Sequence, residues 1–193
     1  MDLHLDPATG LLREVRQLPS PNQDERPAGA QIDLVVVHGI SLPPGELGGP
    51  WIDRLFTNTL PTDGPDAHPY FLEIACLRVS AHLLIRRRGE LVQYVPFQRR
   101  AWHAGTSSWE GRDAVNDFSI GIELEGTDDT PYEDVQYRRL ADLVRTLADA
   151  YPALAPERIV GHSDVAPGRK TDPGPSFDWP RLRALLRGQT SQP

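Results

Sequence analysis

Two histidines in this sequence follow runs of apolar residues. His38 follows Leu34-Val35-Val36-Val37, and His162 follows Ile159-Val160-Gly161. Side chains at the ends of neighbouring strands converge on one rim of an open sheet, which is where such sheets place their sites. Asp172 lies within Arg169-Lys170-Thr171-Asp172-Pro173-Gly174, and the Pro-Gly pair after it predicts a tight turn that folds the carboxylate back toward His162. Two imidazoles and a carboxylate suit zinc, with a fourth position left for water. The competing reading is two strand-end histidines beside a solvated loop aspartate, because the spacing matches no compact metal motif.

Glu123 is the candidate base. In Phe118 to Glu125 the pattern alternates, with Phe118, Ile120, Ile122 and Leu124 on one face and Ser119, Gly121, Glu123 and Glu125 on the other. A carboxylate above a glycine-lined face has room to take a proton from a water activated by a metal. The alternative is an ordinary solvent-facing strand glutamate. Lys170 is the one lysine among 20 cationic side chains. A compact ammonium sits against a developing oxyanion differently from a planar guanidinium. Its plain reading is a lone lysine on an exposed loop.

The remaining candidates carry less chemistry. His82 alternates with Leu84 and reads as a hydrogen-bonded strand histidine. His103, beside Trp102, reads either as a pocket residue or as a structural one. His4 and His68 fall in loops. Cys76, in an apolar segment, reads as a small core residue rather than a nucleophile. Arg86-Arg87-Arg88 and Arg99-Arg100 read as solvated turns.

The elements that must position these residues follow from pattern. Asp33 to His38 predicts a central strand covered on both faces. Ala81 to Arg86 and Glu90 to Val95 predict a hairpin turning at Arg87-Arg88-Gly89. A helix is expected from about Pro131 to Tyr151, capped by Thr130 with Pro131 at its first position and Glu133 completing a capping box. A short strand over 158–162 and a final helix over 178–186 complete the pattern. The expected class is α+β: one domain with a central mixed β-sheet flanked by helices, the hairpin excluding a fully parallel sheet. Residues 1–30 read as an irregular proline-punctuated N-terminal arm, 31–187 as the domain and 188–193 as a C-terminal tail.

Composition narrows the function classes. The 193 residues carry a net charge of −7, and a pI near 5.3 lacks the electrostatic footprint of a nucleic-acid binder. No run approaches the roughly 18 apolar residues of a membrane span, so no membrane association is expected. The start has neither a basic nor an apolar signal region, and the single cysteine excludes an internal disulfide. A soluble protein of a reducing compartment, the cytoplasm, is expected, with no obligate protein partner.

Longer stretches carry a resemblance. Val35 through Gly45, with His38-Gly39-Ile40-Ser41, resembles the first metal-ligand segment of the AmpD-type N-acetylmuramoyl-L-alanine amidases. Leu77-Arg78-Val79-Ser80-Ala81-His82, Gln93-Tyr94-Val95-Pro96-Phe97, Ala101-Trp102-His103-Ala104-Gly105, Asp117 to Gly126, Gly161-His162 and Lys170 to Pro175 resemble further motifs of the same family. The motifs stand in the right order from about residue 10 to 187.

The resemblance implies the amidase and peptidoglycan-recognition-protein-like fold, Zn²⁺ held by His38, His162 and Asp172, and a catalytic pair of Glu123 and Lys170. It implies hydrolysis of the amide between the lactyl group of (1,6-anhydro)-N-acetylmuramic acid and L-alanine in muropeptides, in cell-wall recycling. Arg78, Trp102, His103 and Arg112 are the expected contacts to an anhydro-muropeptide. Some related amidases carry a tyrosine where Ala81 stands, which shifts the base role toward Glu123. Gly39 stands where some members have asparagine, and Ala114 where some have an arginine thought to meet peptide carboxylates. Rival readings are a non-catalytic muropeptide-binding module on the same fold, a Cys76-dependent acyl-transfer enzyme, and an amidase of intact peptidoglycan.

Overall fold

Leu34, Val35, Val36 and Val37 are all completely buried, as a run with both faces covered requires. The computed structural model describes residues 3–188, so most of the expected C-terminal tail, 189–193, lies outside the described residues. The main sheet has six strands: β1 (Arg16–Gln17), β2 (Leu34–Ile40), β3 (Leu83–Ile85), β4 (Leu91–Gln93), β5 (Ser119–Glu125) and β6 (Ile159–Gly161). Their order is β6-β2-β5-β3-β4-β1. Only the β3–β4 hairpin is antiparallel; the other pairs are parallel. The mixed α+β expectation holds for that reason.

Five helices flank the sheet: α1 (Trp51–Phe56), α2 (Pro69–Ile74), α3 (Asp134–Ala150), α4 (His162–Val165) and α5 (Trp179–Leu186). On one face, Val35, Val37, Ile120, Ile122 and Leu124 pack against Leu140, Leu143, Val144 and Leu147 of α3. Each such fully buried aliphatic side chain contributes about 1.5–3 kcal/mol, enough for this face to fix which way the strands point. The opposite face carries His38, Gly121, Glu123 and Glu125. The helix begins later than expected. Glu133, not Thr130, is the residue before its first turn, and its N–H donates to the Gln136 side chain (3.0 Å). A second capping pair therefore overrides the Thr130–Glu133 pair and leaves Tyr132 outside the helix.

Three other expectations are corrected. Phe118 precedes β5 and packs with Leu34, Val36 and Val165, away from Ile120 and Ile122, because the alternation starts only at Ser119. Cys76 is exposed, since the turn after α2 faces outward. Residues 5–24 are not wholly irregular: they form short strands, one of which is the sheet edge β1. Arg26 also ties this segment down, its guanidinium donating to the carbonyls of Phe97, Asn116, Asp117 and Ser119. Among the described residues, no helix is long and apolar enough to cross a membrane.

Candidate metal centre and active site

Parallel pairing of β2 and β5 sets Glu123 beside His38. On the other side of β2, Gly161 of β6 pairs with Val37. His162 then opens α4, so the chain leaves the sheet at the level of His38. Asp172 is returned by the turn predicted from its Pro-Gly pair. Its carbonyl accepts from Ser163 N–H (3.0 Å), and the following Pro173 carbonyl accepts from the Tyr132 hydroxyl (3.0 Å).

The three candidate ligands meet at one point. His38 Nδ1 and His162 Nδ1 are 3.0 Å apart, and Asp172 Oδ2 lies 3.2 Å from the first and 3.1 Å from the second. Bonds of about 2.0–2.1 Å in a tetrahedral zinc site imply ligand atoms roughly 3.3–3.4 Å apart, so the triangle is within a few tenths of an ångström of that size. The donor set, two nitrogens and one carboxylate oxygen, is also one that zinc accepts. Burial pushes the His38 imidazole down to about 4, which keeps it neutral, the state a ligand needs. Burial alone would raise the Asp172 carboxyl, but hydrogen bonding with His162 and His38 reverses this and holds it well below the usual carboxylate range.

Glu123 is buried, not solvent-facing as its plainer reading held. Its Oε2 has no hydrogen-bond partner among the described residues. Desolvation, followed by the charge of Asp172, raises its pKa well above the ordinary value, while Lys170 opposes the rise. A carboxylate so placed takes up a proton readily. Lys170 is exposed on the loop before Asp172, and its charge is felt at both Glu123 and His38.

A cavity of about 820 Å³ opens over this centre, lined by His38, Trp102, His103, Glu123, His162, Lys170 and Asp172 among others. Tyr70, Ile74, Leu77 and Val79 form an apolar part of its wall, and Asp128 and Asp129 also line it. Of the expected substrate contacts, Trp102 and His103 line this cavity, and Arg78 and Arg112 are not among its lining residues. Arg78 bonds the carbonyls of Ala75 and Leu77 in its own loop. Arg112 pairs with Asp33 (2.9 Å) and lies 3.8 Å over the Phe118 ring, near the start of β2, whereas His38 stands toward its end. His103 lines the cavity, but its ring sits over Gly121 and its nitrogens face His38 Nε2 (3.0 Å) and Ser119 Oγ (3.1 Å). The glycine does leave room above the sheet, and this ring fills it.

Tyr132 is a site residue that sequence reasoning missed. Its hydroxyl occupies the space above Gly39, where an added Cβ would collide with it. The glycine standing in place of asparagine therefore has a local counterpart. The Glu133-x-x-Gln136 spacing was the signal that could have freed Tyr132 from the helix.

The family model described as "N-acetylmuramoyl-L-alanine amidase" matches residues 28–175. The 1,6-anhydro-N-acetylmuramyl-L-alanine amidase AmpD of Salmonella typhimurium (strain SL1344) is 63% identical over 180 residues, 93% of this chain and 94% of that protein. A crystal structure of a selenomethionine AmpD derivative superposes with a TM-score of 0.88 at 61% identity, covering 95% of this chain and 99% of the other. The amidase AmiD from E. coli, solved with its substrate anhydro-N-acetylmuramic acid-L-Ala-D-γ-Glu-L-Lys, gives a TM-score of 0.58 at 31% identity over 88% of this chain and 63% of that one. With residues 28–175 matched by the family model and 93% of its length matched by a relative 63% identical to it, this chain belongs to the N-acetylmuramoyl-L-alanine amidase family.

Proposed function

We propose that the protein hydrolyses the amide between the lactyl group of (1,6-anhydro)-N-acetylmuramic acid and L-alanine in muropeptides, with Zn²⁺ as its cofactor. The observation that carries this reading is the convergence of three ligand atoms beneath an unpartnered, buried Glu123. His38, His162 and Asp172 would hold the ion. When bound, zinc acts as a Lewis acid and lowers the pKa of water to about 7.

The rest falls to side chains of this chain. Glu123 Oε2 accepts the proton of the attacking water and returns it to the leaving alanine nitrogen. Burial serves both halves, since a raised pKa makes uptake easy while neighbouring Lys170 limits how far it rises. The Lys170 ammonium faces the oxyanion that forms on the lactyl carbonyl; one such donor is typically worth 10²- to 10³-fold in rate. Trp102 and the apolar wall exclude water from the sugar and lactyl part of the substrate. An acidic muropeptide entering a chain of net charge −7 needs local positive charge, and Lys170 supplies it. A binding-only module would have no use for the unpartnered Glu123 oxygen. The proposal includes action in the cytoplasm, on fragments returned by wall turnover, and cell fractionation tests that part.

The decisive experiment incubates zinc-loaded and chelator-treated protein with an anhydro-muropeptide and detects free peptide by mass spectrometry. Peptide released by the zinc form alone is expected. Cleavage that survives complete metal removal would overturn the metal mechanism, and no cleavage by the zinc form would favour binding without catalysis.

A further inference from the structure

The contacts behind His38 determine which of its nitrogens carries hydrogen. Ser119 Oγ lies 2.6 Å from the Val115 carbonyl oxygen, which only accepts, so the one hydroxyl hydrogen is committed there. The same Oγ lies 3.1 Å from His103 Nε2 and can only accept from it, so His103 is protonated on Nε2. Among the described residues no carboxylate bonds this ring; its polar partners are His38 and Ser119, so it carries a single hydrogen, on Nε2. His103 Nδ1 then presents a lone pair 3.0 Å from His38 Nε2. That contact is a hydrogen bond only when His38 carries its hydrogen on Nε2 and keeps the Nδ1 lone pair for the point shared with His162 and Asp172.

We propose that His103 is a positioning residue, which with Ser119 fixes the tautomer and ring orientation of His38 for metal ligation, rather than a contact to substrate. The same short segment serves His162. Its Nε2 faces the Ala104 carbonyl at 3.3 Å, to which Arg169 also donates. Asn116 Oδ1 accepts from the N–H groups of both His103 and Ala104 (3.2 and 2.8 Å) and holds the segment in place. Residues 103 and 104 thus orient both histidines from behind, the arrangement that commonly tunes metal affinity.

The inference rests on His38 being a ligand, but its first readout needs no metal. Long-range ¹H–¹⁵N correlation on the zinc-free protein should show His38 as the Nε2–H tautomer. In His103→Phe that preference is lost. In His103→Gln, whose amide can accept from His38 and donate to Ser119, it returns. Zinc competition against a chelator should show about 10- to 100-fold weaker binding for the Phe variant, largely recovered in the Gln variant, with KM unchanged at saturating zinc. Should circular dichroism show His103→Phe unfolded, Ser119→Ala gives the same readouts with a smaller loss. An unchanged tautomer together with unchanged zinc affinity in His103→Phe or in Ser119→Ala overturns the proposal. So does a raised KM with zinc affinity intact, which would make His103 a substrate contact. Failure of zinc to bind the wild-type protein overturns the ligand reading instead, and leaves the tautomer measurement to stand separately.

Discussion

Glu123 and His38 are register partners on adjacent parallel strands, and both project from the face opposite α3. The spacing between the proposed base and the proposed ligand is therefore set by backbone hydrogen bonding at the centre of the sheet. Two side chains proposed to act on the same water are thus carried by paired central strands, which keeps the cost of ordering them out of the reaction step.

Replacing Glu123 by Gln keeps the volume and removes the proton acceptor. The expected result is a kcat lower by about 10²- to 10⁴-fold with stoichiometric zinc retained. Steady-state assays alongside metal analysis check this, and near-normal turnover would remove Glu123 from the base role.

Lys170→Arg preserves charge but exchanges a point donor for a planar fork. We expect kcat to fall by about 10²-fold or more while zinc stays bound. Equal turnover in the two proteins would mean that any cation at this rim suffices.

His38→Ala removes one corner of a ligand triangle whose sides are 3.0 to 3.2 Å. Stoichiometric zinc binding should be lost, as read by chelator competition. A variant that still held one equivalent tightly would refute the ligand assignment.

Tyr132→Phe deletes the hydrogen bond to the Pro173 carbonyl, worth about 0.5–1.5 kcal/mol, and loosens the turn that returns Asp172. A several-fold drop in zinc affinity is expected with no change in the protonation behaviour of turnover. Unchanged affinity would show that the Ser163 contact alone holds the turn.

Acid should destabilise the fold through His82. This histidine is fully buried; its Nδ1 accepts from Gly121 N–H and its Nε2 faces the Arg99 carbonyl. Burial, then the charge of Arg26, pushes it down to about 3 from an ordinary 6.5. Between those values the unfolded chain binds a proton that the folded chain does not. Stability is therefore full above about pH 6.5 and declines as pH falls toward about 3. Urea midpoints measured at about pH 7.5 and 5 should differ in that direction, and His82→Gln should reduce the difference, leaving the part due to buried His38. A midpoint independent of pH over this window would contradict the assignment.

Much of the centre was legible because strand periodicity is local. The β5 alternation put Glu123 opposite the core face, and the Pro-Gly pair announced the turn that returns Asp172. What the sequence hid depends on contacts across long separations. His103 meets His38 only because Gly121, on a different strand, leaves space for its ring. Arg112 is drawn off by Asp33 and Phe118, and nothing in its own neighbourhood marks either partner. The helix start was misplaced because two capping pairs overlap at Glu133, and local propensity does not rank them. Cys76 followed its apolar neighbours into the expected core, although the turn after α2 faces it outward.

Arg26 joins parts of the chain that are distant in sequence. Its four carbonyl acceptors lie between Phe97 and Ser119, 71 to 93 residues further along, so the guanidinium is satisfied only by backbone far from its own segment. The stretch it seals includes Asn116, which holds the backbone behind both histidines. A chain begun at residue 31 would contain every residue of the candidate metal centre and lack the clasp behind it.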